Sequence, residues 1–89
     1  MRHAVDRQPE DPAPLLRQAI ALLREAELRA AASEFEQACF ATTMTHAEWS
    51  AAVADAVTRL RSACARALPR EIELLLRRAT RALEAAQEA

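Results

Sequence analysis

Met44-Thr45-His46-Ala47-Glu48-Trp49 carries the sharpest local signal in the chain. Thr45 and Glu48 have capping-box spacing: the Thr hydroxyl can accept from the Glu backbone N–H while the Glu carboxylate accepts from the Thr backbone N–H. Met44 before the cap and Trp49 just inside the helix stand where a hydrophobic staple forms. A helix therefore begins at His46.

Downstream of that start, Trp49, Val53, Ala56, Leu60, Ala63 and Ala67 recur at alternating steps of four and three, the spacing of a coiled-coil seam. Val57 and Cys64 widen the stripe, and Asp55, Arg59, Ser62 and Arg66 face away from it. Asp55 and Arg59 form a supporting pair one turn apart. Pro69 ends this helix at about Ala67, because its ring disfavours the α conformation at Leu68 and suits the first turn of a new helix. A fresh seam of Ile72, Leu76, Ala79, Leu83 and Ala86 then predicts a further helix from about Arg70 to Gln87, folded back antiparallel after a tight turn. Leu74 is left on its polar side.

Upstream, Asp11-Pro12-Ala13-Pro14 reads as a helix start, with Asp11 as cap and Pro in the first turn. Helical character runs on to about Ala41, but its apolar face moves. Leu15, Leu16, Ala19, Ile20, Leu22, Leu23 and Ala26 share one side. Leu28, Ala31, Phe35, Ala38 and Cys39 lie on a side rotated by well over ~90° on a wheel of ~100° per residue. Either the segment breaks near Glu25–Arg29, or one long helix meets different partners at its two ends. No Gly or Pro marks a break, and Glu25 and Arg29 form a favourable pair across it, so the unbroken helix is the expectation. Residues 1–11 are polar and charged, without a partner for His3, and read as a disordered arm.

Composition supports an all-α reading. Ala makes up about a quarter of the 89 residues, far above ordinary usage, all 12 basic residues are Arg, and Gly and Tyr are absent. Ala, Leu, Arg, Glu and Gln favour helix, and β-branched residues are few. Net charge is −1; residues 1–48 hold 5 Arg and 8 acidic residues, and residues 49–89 hold 7 Arg and 5. No strong field draws the chain to nucleic acid or membrane. No apolar run opens the chain as a signal peptide, and no segment approaches the ~18 residues needed to cross a bilayer. The expected compartment is the cytoplasm, with Cys39 and Cys64 reduced.

The constellations that could carry chemistry are sparse. Cys39, His46 and Cys64 lack paired metal-ligand spacing, and His46-Ala47-Glu48 imitates the H-x-E of zinc deaminases with no P-C-x-x-C to follow. Cys39 and His46 could pair as thiol and imidazole, but the chain has no Gly for an oxyanion turn and little mass for an enclosed pocket. Without Gly there is no phosphate-cradling loop. Arg70, Arg77 and Arg81 share one stripe of the last helix and could run beside phosphates, although Glu73 and Glu84 border the stripe and can pair with Arg77 and Arg81. Ala31-x₃-Phe35-x₂-Ala38, with Ala19 where a small residue belongs, resembles the second-helix signature of a tetratricopeptide repeat. One repeat period from Leu15 lands on Trp49, but Pro69 falls where a second repeat needs its own Phe, so the resemblance covers about one repeat.

These readings combine into an all-α protein: an arm over 1–11 and a single helical domain over 12–89. The domain is a long N-terminal helix followed by an antiparallel helical hairpin, as a three-helix bundle or part of a dimeric helical bundle. Small Ala side chains alternate with large ones along both seams, so each helix hides little apolar area, and a thin core in a short chain points to self-association. The expected function is a small non-enzymatic protein–protein interaction module (adaptor, small chaperone or assembly factor) acting by helix–helix docking as a homodimer. Its partner is itself or another protein, with no catalytic residue, metal, cofactor or membrane involved. Leu28, Phe35, Phe40 and Trp49 are the expected anchors, since aromatics carry interface energy disproportionately. The alternatives are a dimeric nucleic-acid-associated regulator using Arg70, Arg77 and Arg81, and a tetratricopeptide-like peptide-binding secretion chaperone.

Overall fold

The computed structural model describes residues 10–40 and 45–88. It contains α1 (Pro12–Glu25), α2 (Arg29–Phe40), α3 (His46–Cys64) and α4 (Arg70–Glu88), with a 3₁₀ turn, Ala65–Ala67, before α4. Among the described residues there is no strand. Of the expected arm over residues 1–11, residues 1–9 lie outside the described residues, as do the staple partner Met44 and the side chain of Ala86, while Glu10 pairs with Arg78 and Asp11 caps α1.

Local sequence explains the helix starts. The Asp11 carboxylate accepts from the Ala13 N–H at 3.1 Å, and Pro12 opens α1, where its missing donor costs nothing. At α3 the capping box is complete: the Glu48 N–H donates to Thr45 Oγ1 at 3.1 Å and the Thr45 N–H donates to Glu48 Oε1 at 2.9 Å. At α4, the Pro69 carbonyl accepts from both Ile72 and Glu73 N–H at 3.1 Å.

The long N-terminal helix is corrected: two helices stand in its place. The chain turns at Ala26-Glu27-Leu28, with Glu27 at φ 67°. The Leu28 N–H donates to Leu23 O at 2.9 Å and the Glu27 N–H to Arg24 O at 3.1 Å. That is the hydrogen-bond pattern of a Schellman motif, whose left-handed position Gly usually fills. Leu28 packs onto the core, and its carbonyl accepts from the Ala32 N–H at 2.9 Å to open α2. The supporting pair anticipated between Glu25 and Arg29 does not form; Arg29 reaches Glu27 instead, at 3.6 Å and largely in solvent. The break lets each apolar face find its own cover, which a straight rod would deny to one of them.

Successive helices are neighbours and α4 closes back onto α1, with neither diagonal pair in contact. Cross-links show the directions. Arg17 of α1 lies over Phe40 of α2, Trp49 at the start of α3 reaches Cys39 near the end of α2, and Glu10 before α1 pairs with Arg78 of α4. Leu15, Leu16, Ala19, Ile20 and Leu23 of α1 are buried, as are Ile72, Leu75, Leu76, Ala79, Ala82 and Leu83 of α4. Leu16, Leu23, Ile72 and Leu76 are enclosed almost completely, each contributing about 1.5–3 kcal/mol of burial. Of the four helix pairs, α3 and α4 approach least closely. They are bridged at one end by Arg61, whose Nε and guanidinium nitrogen donate to the two oxygens of Glu73 at 3.0 and 2.9 Å.

Candidate functional site

The expected anchors divide between two places. Phe40 and Trp49 meet where α2 ends and α3 begins, with ring centroids 6.3 Å apart at 45°. The Arg17 guanidinium sits 4.1 Å from the centre of the Phe40 ring, a cation–π contact, and the His46 ring lies 6.3 Å from Trp49. Both Phe40 and Trp49 are half-buried, and the cluster secures one end of the bundle.

Leu28 and Phe35 line a different feature, a groove along the α2–α3 seam. Its walls carry Leu28 from the preceding turn, Ala31, Glu34 and Ala38 from α2, and Ala56, Arg59, Leu60 and Ala63 from α3, with Ala67 of the 3₁₀ turn at its far end and Phe35 between the walls. Phe35 is 3% exposed and belongs to the chain's own core, while Leu28 is half-buried. Ala63, at the end of the α3 seam, and Ala67, in the 3₁₀ turn that follows it, are exposed. Glu34 stands on one wall and Arg59 on the other; both are exposed, and Arg59 also pairs with Asp55 of its own helix at 2.9 Å.

The Arg stripe of α4 is where its spacing predicts. Arg70, Arg77 and Arg81 are all exposed. Arg77 Nε donates to Glu73 at 2.9 Å, so Glu73 is held by two guanidinium groups. The Arg61 hydrogen bonds, followed by those of Arg77, keep its carboxyl below the usual glutamate range. Arg70 and Arg81 form no ion pair among the described residues; Glu84 does not engage Arg81. Leu74, between Arg70 and Arg77, is a large exposed apolar side chain at 44%.

Thiol chemistry has little purchase. Cys39 and Cys64 are unbonded and buried. Desolvation pushes the Cys39 thiol up to about 12 and raises that of Cys64, so the nucleophilic thiolate is scarce at neutral pH. His46 is exposed at the start of α3. Among the described residues no three His, Cys, Asp or Glu side chains converge as a metal site, and no helix is long and apolar enough to cross a membrane.

Sequence reasoning missed the groove because it depends on where α2 starts, and that start follows a turn without its usual glycine. Comparison of the chain with models of known families, with curated proteins and with solved structures finds no match.

Proposed function

We propose that this chain is a non-enzymatic protein–protein interaction module that works by helix docking and self-associates through the α2–α3 groove. The observation carrying this reading is the groove itself: Ala63 at the end of α3 and Ala67 in the 3₁₀ turn lie exposed along it, opposite Leu28 and Ala31. Small side chains on both walls, Ala31 and Ala38 of α2 and Ala63 of α3, let another helix approach closely.

A second copy suits the groove's charges. A two-fold interface must be self-complementary. Glu34 on one wall and Arg59 on the other would each meet its opposite across such an axis. In this reading the four-helix chain forms half of a dimeric helical assembly joined at the α2–α3 groove, and the reduced, buried thiols suit the cytoplasm.

The break at Ala26–Leu28 is compatible with a helix-turn-helix unit, but stacked repeats would set α3 on α1 and α4 on α2. The contacts instead join α1 to α4 and α2 to α3, so the geometry favours a closed bundle over a peptide-binding solenoid.

Molar mass by light scattering, from micromolar concentration downward, tests the reading. Twice the mass of one chain is expected, and one chain's mass for Ala63→Glu with an unchanged circular dichroism spectrum. A single-chain mass for the unaltered protein at every concentration overturns self-association.

A further inference from the structure

We propose that the outer face of α4 is a second docking surface, which takes an acidic amphipathic helix from a different protein. Arg70, Leu74, Arg77 and Arg81 follow one another at steps of four, three and four and are all exposed. At 1.5 Å per residue this stripe covers about 16 Å of helix. It places one large apolar side chain in the middle of a row of guanidinium groups.

The arrangement has the form of an interface centre, an apolar contact ringed by charged groups that exclude water. Leu74 is the large apolar side chain left exposed on this helix, at 44%, whereas those on the opposite face of α4 are buried. Arg77 is pre-positioned: its Nε is held by Glu73, which Arg61 anchors from α3. An Arg held in this way loses less side-chain freedom when a carboxylate approaches its remaining donors.

The charges choose among occupants. A second copy meeting this face through its own α4 would set Arg against Arg, which is unfavourable. The outward carboxylates of α3 are already engaged, Glu48 in the capping box and Asp55 with Arg59. Phosphates would gain nothing from Leu74, and the net charge of −1 supplies no long-range attraction for a duplex. A helix bearing Glu or Asp at matching spacing, with one Leu or Met among them, satisfies every group in the stripe.

The experiment uses a labelled synthetic helical peptide with Glu at the 4-3-4 positions and a central Leu. Alongside it run the same peptide with Gln for Glu and a labelled DNA duplex, and binding to the full chain is read by fluorescence anisotropy. The Glu peptide is expected to bind at least tenfold more tightly than the Gln peptide and than the duplex. Leu74→Ala, and separately the double change Arg70→Gln with Arg81→Gln, should each weaken it about tenfold with unaltered circular dichroism. The groove variant Ala63→Glu should bind the peptide as the unaltered chain does, which separates this surface from self-association. Absence of peptide binding, indifference to Leu74→Ala, or preference for the duplex with affinity falling steeply with salt overturns the proposal, the last in favour of nucleic acid.

Discussion

The indole N–H of Trp49 donates to the backbone carbonyl of Cys39 at 2.7 Å, tying the start of α3 to the end of α2. The acceptor is among the last carbonyls of α2, which have no partner within their own helix. Trp49→Phe keeps the ring contact with Phe40 but removes the donor. Loss of about 1–2 kcal/mol is expected, read as a lower urea midpoint by circular dichroism, since the variant loses its only indole fluorescence. An unchanged midpoint would show that solvent satisfies the carbonyl equally well.

Among the described residues, two occupy backbone conformations that favour glycine: Glu27 at φ 67° and Ala65 at φ 45°. A side chain in the left-handed region costs about 1–2 kcal/mol, partly offset by the greater chain entropy glycine would lose on folding. Glu27→Gly and Ala65→Gly should therefore each stabilise by about 0.5–1 kcal/mol, a rise in Tm of about 3–6 °C. Ala54→Gly, in the interior of α3, should lower stability by about 1 kcal/mol. If all three moved in the same direction, the conformational argument would fail.

Glu73 makes the junction between α3 and α4 sensitive to acid. Its folded pKa lies below the ordinary value of 4.5, chiefly through the Arg61 hydrogen bonds. A depressed carboxylate contributes stability that is fully present above the unfolded pKa and lost as pH falls through the folded one. Urea midpoints of the unaltered chain and Glu73→Gln should differ at pH 7 and converge as pH drops below 4.5. A gap that persists in strong acid would trace to packing instead of charge.

Cys39 and Cys64 should resist thiol reagents while the chain is folded. Burial holds the Cys39 thiol near 12 and raises that of Cys64, and reaction runs through the thiolate. Disulfide-exchange reagents at pH 8 should label neither thiol on the mixing timescale and both once urea unfolds the chain. Fast labelling of Cys39 in the folded chain would contradict its enclosure.

Ser50 is 6% exposed and its hydroxyl finds no hydrogen-bond partner among the described residues. Ser50→Ala removes a buried polar group that nothing satisfies, so stabilisation by about 1 kcal/mol is expected. Destabilisation in thermal melts would mean that the hydroxyl is satisfied in solution.

Much of this architecture is legible from side-chain chemistry. Thr45 and Glu48 announce the start of α3, Pro69 the start of α4, and Ile72, Leu76, Ala79 and Leu83 its buried face. The face switch between Leu23 and Phe35 reports that two covers are needed. It does not say whether the chain breaks to reach them, because the turn uses Glu27 where sequence reading looks for glycine. The link from Trp49 to Cys39 was hidden for a related reason: its acceptor is a backbone carbonyl, which every residue carries. Phe35 is an attractive anchor by type, yet helix phase places it inside the chain's own core.

The closure of α4 on α1 joins helices that lie far apart in sequence. Hiding the apolar strip of Leu15, Leu16 and Leu23 is therefore a non-local event, and the loop-closure entropy it costs sets the pace at which the bundle forms.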